Sequence, residues 1–377
     1  MRIGINALYL LPGRVGGSEI YLRNLVKWLP RVAPENEFLL YVNKESEGVL
    51  GAEGVRVVAC NVRAESRPMR ILYEQTVLPV LAMRHRLDAL LSAGMTAPFF
   101  CPVHSVLMVY DMQHINEPQN FNRWYLLFLK SIIGLSAKRS KAVLTLSGKS
   151  KQDILEFYGL SPGKVAVTYL AADRSVFYRR ADPEVAALRN KYGLPQEFVL
   201  YIASSLPHKN YERLLSAFAE VKRVRPELKL VLIGARDYGR EAIKAKIASL
   251  GLEEGVLFLG WLPFEDIPGI YSAASLFVFP SLHEGFGIPV LEAFASGVPV
   301  VCSGIGPLDE VAGDAALFVD PLSVESIVGG MLKVLGDSRL RESLIAKGLK
   351  RALDFSWERT ASETLAFIEK TKRGGLH

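Results

Sequence analysis

Short apolar runs and amphipathic helical stretches alternate along almost all of this 377-residue chain, and no other feature limits its fold as strongly. The patterning predicts strands over Arg2–Ala7, Phe38–Val42, Val55–Ala59, Ala89–Ser92, Ser105–Tyr110, Ala142–Ser147 and Val165–Tyr169. Helices are predicted from the Gly16-Gly17 pair to Leu29, over Tyr73–Arg84 and over about Asn122–Ser136. The pattern pauses between Ala172 and Pro195, then restarts. Strands follow over Phe198–Ile202, Leu228–Ile233, Val256–Leu259, Leu276–Phe279 and Val298–Cys302, with helices over Tyr211–Arg223, Arg240–Leu250 and from Pro289. Such alternation predicts parallel sheets covered by helices on both faces. Two runs of it predict two doubly wound α/β domains, each able to bury its own core. Ligands of such folds bind outside the carboxyl ends of the strands. Residues that follow predicted strands are therefore the ones to search for chemistry.

Composition narrows the class. Half the residues are hydrophobic and 22% are charged, a globular and ordered balance. Cys60, Cys101 and Cys302 are odd in number and far apart, which predicts neither a disulfide framework nor a zinc cluster and fits a reducing cytoplasm. Met1–Asn6 reads as a first strand and not as a leader peptide, and no run of about 18 apolar residues predicts a membrane span. Charge is uneven: residues 1–180 hold 23 Lys and Arg against 14 Asp and Glu, while the remainder holds 22 against 25. A basic first half suits an anionic surface, so peripheral contact with a membrane's inner face is one expectation. An ordinary solvated surface is the alternative. No nucleic-acid-binding motif is present, and no nucleic-acid partner is expected.

The densest chemistry lies in Pro280–Val300. Here a buried strand ends at Pro280, a turn carries Gly285 and Gly287, and Pro289 opens a helix. The glycines let the backbone approach a ligand closely, and the helix N-terminus attracts an anion such as phosphate. Glu284 and Glu292 flank that anion site, eight residues apart. A purely structural reading has the two glutamates favouring the positive end of the helix dipole. A nucleotide sugar explains them better, because its hydroxyls need acceptors.

This run resembles the Glu-x7-Glu signature of the retaining GT-B glycosyltransferases of family 4, also called group 1. The resemblance extends over nearly the whole chain and is strongest over residues 255–320. It implies two Rossmann-like domains facing across a cleft: an acceptor-side domain over 1–172 and a donor-binding domain over 183–355. A C-terminal helix, about 356–377, is expected to cross back to the first domain. The resemblance gives Glu292 the nucleotide ribose, Glu284 the transferred sugar, and the amides of Gly285, Phe286 and Gly287 the donor.

Further positions extend the match. Tyr201–Asn210 follows the first strand of the second domain, and Lys209 there suits a diphosphate as a compact point charge. A surface lysine beside an Asn that begins a helix is the plainer reading. Many family members have an Arg four or five residues before that Lys. This chain has Ser204 there instead, and resembles a subgroup reading Glu-Pro-Arg-Lys-Asn with His208 in place of the Arg. Gly16 and Gly17 resemble the family's N-terminal Gly-Gly loop at the donor phosphates, although a plain turn explains two glycines as well. Asp111-Met112-Gln113-His114 resembles the Asp-Leu-Gln-His segment of mannosyltransferase-like members, which implies roles near the acceptor or the reacting sugar for Asp111 and His114. A capping Asp and a structural His are the alternatives. Leu259–Leu262 and Glu265–Pro268 resemble the stretch around the nucleobase, and Ser303–Glu310 also matches. The aromatic run Asn122–Lys130 reads as a core helix, with a membrane-surface or acceptor-groove helix as the other possibility.

The resemblance implies a retaining hexosyl transfer from a nucleotide-diphosphate sugar, GDP-mannose being the favoured donor. The expected acceptor is a glycan or polyprenyl-diphosphate-linked glycan of bacterial surface polysaccharide synthesis. The chain has no Asp-x-Asp, so no metal and no cofactor is expected. Lys209, loop amides and the helix dipole are left to meet the departing diphosphate. The competing readings are a nucleotide-sugar epimerase or phosphorylase on the same fold, and a non-catalytic binding scaffold. An oxidoreductase is disfavoured, because Gly-x-Gly-x-x-Gly is missing after the first strand.

Overall fold

A computed structural model describes residues 1–14, 16–234 and 239–374. The chain divides into two units: Met1–Leu170 with the segment from Ser356 onward, and Ala171–Phe355.

The first unit is built on seven strands: β1 (Arg2–Asn6), β2 (Glu37–Val42), β3 (Val55–Ala59), β4 (Ala89–Ser92), β5 (His104–Met108), β6 (Ala142–Thr145) and β7 (Val165–Val167). They form one parallel sheet in the order β3-β2-β1-β4-β5-β6-β7. Strands β4 and β6 are buried throughout, as sheets covered on both faces require, and this is why they read as unbroken apolar runs. The connections run outward in both directions from the β1/β4 pair, where Asn6 lies opposite Ser92. Helix Trp357–Lys372 packs on helix Gly17–Val32 and buries Trp357, Leu365 and Ile368. Its Thr360 hydroxyl donates to the Tyr169 carbonyl at 2.6 Å, and His104 Nε2 lies 2.8 Å from Thr371 Oγ1.

The second unit repeats the plan with β8 (Phe198–Ile202), β9 (Lys229–Ile233), β10 (Val256–Gly260), β11 (Leu276–Phe279), β12 (Val300–Ser303) and β13 (Leu317–Val319). These strands are parallel, in the order β10-β9-β8-β11-β12-β13. The connections diverge at the β8/β11 pair. The ligand crevice of such a sheet therefore lies beyond the carboxyl ends of these two strands.

The structure departs from the sequence reading in places. The interval 172–195 contains helix Asp182–Tyr192, ended by Gly193 at φ +62°. None of its residues is buried, so it leaves no apolar period to read. Helix Arg67–Arg84 starts six residues before the predicted Tyr73, because Pro68 suits its first turn. Helices Gly148–Tyr158, Val324–Gly336 and Ser338–Ala352 complete the covering layers.

Candidate active site

Two loops of the second unit meet beyond β8 and β11. The first runs from Ala203 to Asn210, and Asn210 takes the left-handed conformation (φ +62°) just before helix Tyr211–Val224. Asn210 makes no side-chain cap there. Its Nδ2 instead donates to the carbonyls of Pro280 and Pro321, each at 2.8 Å, and so ties the loops after β8, β11 and β13 together. Leu282 N donates to the His208 carbonyl at 2.7 Å, and Ser303 Oγ donates to the Ser281 carbonyl at 2.7 Å. Bonds from one loop to the next thereby brace the crevice floor, besides the bonds of Lys209 N and Asn210 N to the Leu206 and Pro207 carbonyls within the first loop.

This bracing presents Lys209 to Glu284. Lys209 Nζ lies 2.6 Å from Glu284 Oε1, with both side chains largely shielded from solvent. The ammonium also sits 5.4 Å from the centre of the Phe279 ring. The Tyr201 hydroxyl donates to the Lys209 carbonyl and holds its backbone. A partly buried ammonium with one carboxylate partner keeps two donors for a further anion. Glu284 in turn keeps an oxygen for a hydroxyl.

Helix Ile288–Ala295 begins directly after this loop, with Gly287 at φ +117°. A Cβ at Gly287 would lie 2.5 Å from Leu308 Cδ2, so both conformation and space demand glycine. Pro289 has no N–H and Val290 N donates to the Gly287 carbonyl at 3.0 Å, so it is the dipole of this helix that gives the crevice a positive rim. Phe286 is buried and packs edge-on against Phe355, at 6.0 Å between ring centres. Glu292 is buried one turn further on, and Tyr271 Oη donates to its Oε2 at 3.1 Å. Burial pushes the Glu292 carboxyl up to about 7, and the Tyr271 bond partly offsets that rise. A carboxylate so poorly hydrated is well served by hydroxyl donors from a ligand.

The structure thus brings Lys209, Glu284, Gly285, Phe286, Gly287 and Glu292 to one crevice, on adjacent loops and the helix that follows. His208 is buried beside Lys209, and Ser204 is exposed on the same loop. Sequence reasoning missed Tyr271 and Phe279, which act through Glu292 and Lys209. Only the aromatic content of their strand and helix hinted at them. Asp266, within the stretch assigned to the nucleobase, is taken by Lys191 at 2.7 Å and by the Tyr192 hydroxyl. Among the described residues no three His, Cys, Asp or Glu side chains are grouped to hold a metal.

In the first unit Gly16 has φ +58° and Gly17 begins a helix, with open space around both. Asp111 Oδ1 accepts from Gln113 N at 2.9 Å, a local turn at the start of helix Gln113–Asn116. His114 is buried, with Nε2 2.8 Å from Tyr158 Oη and the two rings stacked. Burial pulls its imidazole down to about 4. These are the structural roles that the sequence reading had set beside the functional ones for Asp111 and His114.

The profile of "Glycosyl transferases group 1" matches residues 185–351, which span this crevice. The chain is 34% identical to O-antigen chain mannosyltransferase B of Escherichia coli over 264 residues, 69% of each chain. It is 29% identical to the serotype-specific mannosyltransferase WbdA of Escherichia coli over 267 residues, which cover 69% of this chain but 32% of WbdA. Among solved structures it is similar to sucrose-phosphate synthase from Thermosynechococcus elongatus (TM-score 0.79, 18% identity, 99% of this chain and 100% of that one). It is also similar to Anabaena HepE in complex with UDP and glucose (TM-score 0.77, 20% identity, 98% and 99%). The fold is that of the GT-B glycosyltransferases, with two Rossmann-like units. The chain belongs to group 1 of the glycosyltransferases.

Proposed function

We propose that this protein is a retaining hexosyltransferase that moves mannose from GDP-mannose to a glycan or polyprenyl-diphosphate-linked acceptor of a bacterial surface polysaccharide. The observation that carries the reading is the Lys209–Glu284 pair at the β8/β11 crevice, with Glu292 buried in the adjoining helix. Lys209 meets the donor diphosphate, together with the amides of Gly285, Phe286 and Gly287 and the helix dipole. Charge that develops on the departing diphosphate is then met by groups already in place. Glu284 accepts from hydroxyls of the transferred sugar, and Glu292 from the nucleotide ribose. This chemistry asks for no metal and no cofactor, and His208 stands where a second cation is expected. The resemblance adds Gly16 and Gly17 on the donor side and Asp111 and His114 on the acceptor side.

Mannose is favoured because the two relatives described above, at 34% and 29% identity, are mannosyltransferases, the first of them of the O-antigen chain. Among the described residues no helix is long and apolar enough to cross a membrane. A lipid-linked acceptor would be met at the membrane surface, in our reading from the cytoplasmic side. The test is incubation with GDP-mannose and an acceptor-rich lipid extract, with the product anomer read by NMR. Acceptor-dependent GDP release with retained configuration is expected. Conversion of the donor without acceptor, or dependence on free phosphate, would assign an epimerase or a phosphorylase. Donor binding with no turnover would leave a scaffold.

A further inference from the structure

Two neighbouring helices of the first unit turn apolar faces to solvent. Helix Arg67–Arg84 exposes Met69, Leu72, Val80 and Met83, which recur at helical spacing along one side. Helix Arg123–Arg139 exposes Trp124, Leu127, Phe128 and Leu135 in the same way, while Ile132, Ile133, Ser136 and Ala137 face inward. The aromatic run read from sequence as a core helix is therefore core on one side only. Among the described residues, Phe100, 78% exposed, and Trp124, 75% exposed, are the most open large apolar side chains of this unit.

The two faces are joined. Arg67 Nη1 donates to the Tyr125 hydroxyl at 2.6 Å, with its guanidinium 5.3 Å from that ring. Gln75 holds the loop before Phe100, donating to the Ala97 carbonyl at 3.0 Å and accepting from Phe99 N at 2.9 Å. Arg139 lies 5.3 Å from the Phe100 ring. Clustered exposed apolar side chains rimmed by polar groups mark interaction sites.

Charge identifies the partner. The ends and flanks of the two helices carry Arg67, Arg84, Arg123, Lys130, Lys138 and Arg139. The one acidic residue on either helix, Glu74, is buried and bonded to Asn6 Nδ2 at 2.9 Å. A second copy docked here through a two-fold axis would press one basic rim against another. An anionic lipid surface supplies the opposite charge and an apolar phase for the side chains between.

We propose that the face formed by helices Arg67–Arg84 and Arg123–Arg139 docks on an anionic bilayer surface, with Trp124, Leu127 and Phe100 inserted. This deepens the membrane-surface reading above but does not depend on the donor site, which lies in the other unit. The test is co-sedimentation of the full chain with vesicles of phosphatidylcholine alone or mixed with phosphatidylglycerol. Binding to the mixed vesicles is expected, weakened by salt. It should drop at least tenfold in Trp124→Glu/Leu127→Glu and in Arg123→Glu/Arg139→Glu. Unchanged thermal unfolding and nucleotide binding would show that the variants fold. In wild type, brominated lipid should quench tryptophan fluorescence, and Trp124→Phe should still bind but lose that quenching. Equal binding by all variants, or no binding to mixed vesicles, would overturn the proposal. A concentration-dependent dimer abolished by Leu127→Glu without lipid would instead give the face to a second copy.

Discussion

Glu292 shows how one side chain can make binding depend on pH. Burial raises its carboxyl from an ordinary 4.5 to about 7. Ribose hydroxyls donating to it, the role proposed above, would favour the ionised form. Below pH 7 the empty site holds a proton that must leave before the nucleotide binds. Nucleotide affinity should therefore fall about tenfold between pH 8 and pH 6. Titrations at the two pH values check this, with Glu292→Gln expected to bind weakly at both. A flat profile in wild type would remove Glu292 from the ribose. His114 is shifted the other way by burial, and here it is stability that falls as pH drops. Its imidazole falls from an ordinary 6.5 to about 4, so the unfolded chain takes up a proton first as pH drops. Stability from this group is whole above pH 6.5 and is lost on the way down to pH 4, about 3 kcal/mol in all. Urea unfolding of His114→Gln should show a shallower acid loss than wild type. Equal slopes would mean that the imidazole is not held neutral. The carboxylates and lysine of the crevice were legible in the sequence because their types and spacing are chemical. The burial that sets these pKa values was not, because Tyr271 and Tyr158 arrive from distant parts of the chain.

At the scale of elements, the crevice depends on loops held to one another. Asn210 joins three of them through two carbonyls. Its removal would leave buried carbonyls without donors, and its left-handed backbone disfavours most replacements. Asn210→Ala should cost about 2–4 kcal/mol by chemical denaturation. Asn210→Gly should recover only the backbone part. A loss under about 1 kcal/mol in the alanine variant would show that the loops hold without it. From sequence Asn210 read as the start of a helix, which is true of its position and silent about its bonds. Strands were the most legible elements, because a parallel sheet buries both faces and leaves unbroken apolar runs. The β8, β9 and β11 runs fall within one residue of their predicted limits. Helix Asp182–Tyr192 buries nothing and so left no such trace.

At the scale of the molecule, two parallel sheets repeat one plan. In each, the chain diverges from a central strand pair, β1/β4 in one and β8/β11 in the other. The second pair carries the charged crevice. The first unit contributes a basic, apolar outer face on two helices. That division of labour was half visible in the charge count, where the basic excess lies entirely in the first half. The count could not show that the excess borders exposed Trp124 and Leu127, because helical period alone does not say which side packs inward.

Lys209, paired with Glu284 at 2.6 Å, is the proposed seat of a nucleotide diphosphate. Calorimetric titration of GDP, UDP and ADP into wild type, then of the tightest binder and its bare nucleoside into Lys209→Ala, tests it most directly. At least a tenfold loss is expected for the diphosphate and little change for the nucleoside, as follows from a lost charge-assisted contact. Equal diphosphate affinity in wild type and Lys209→Ala would contradict it.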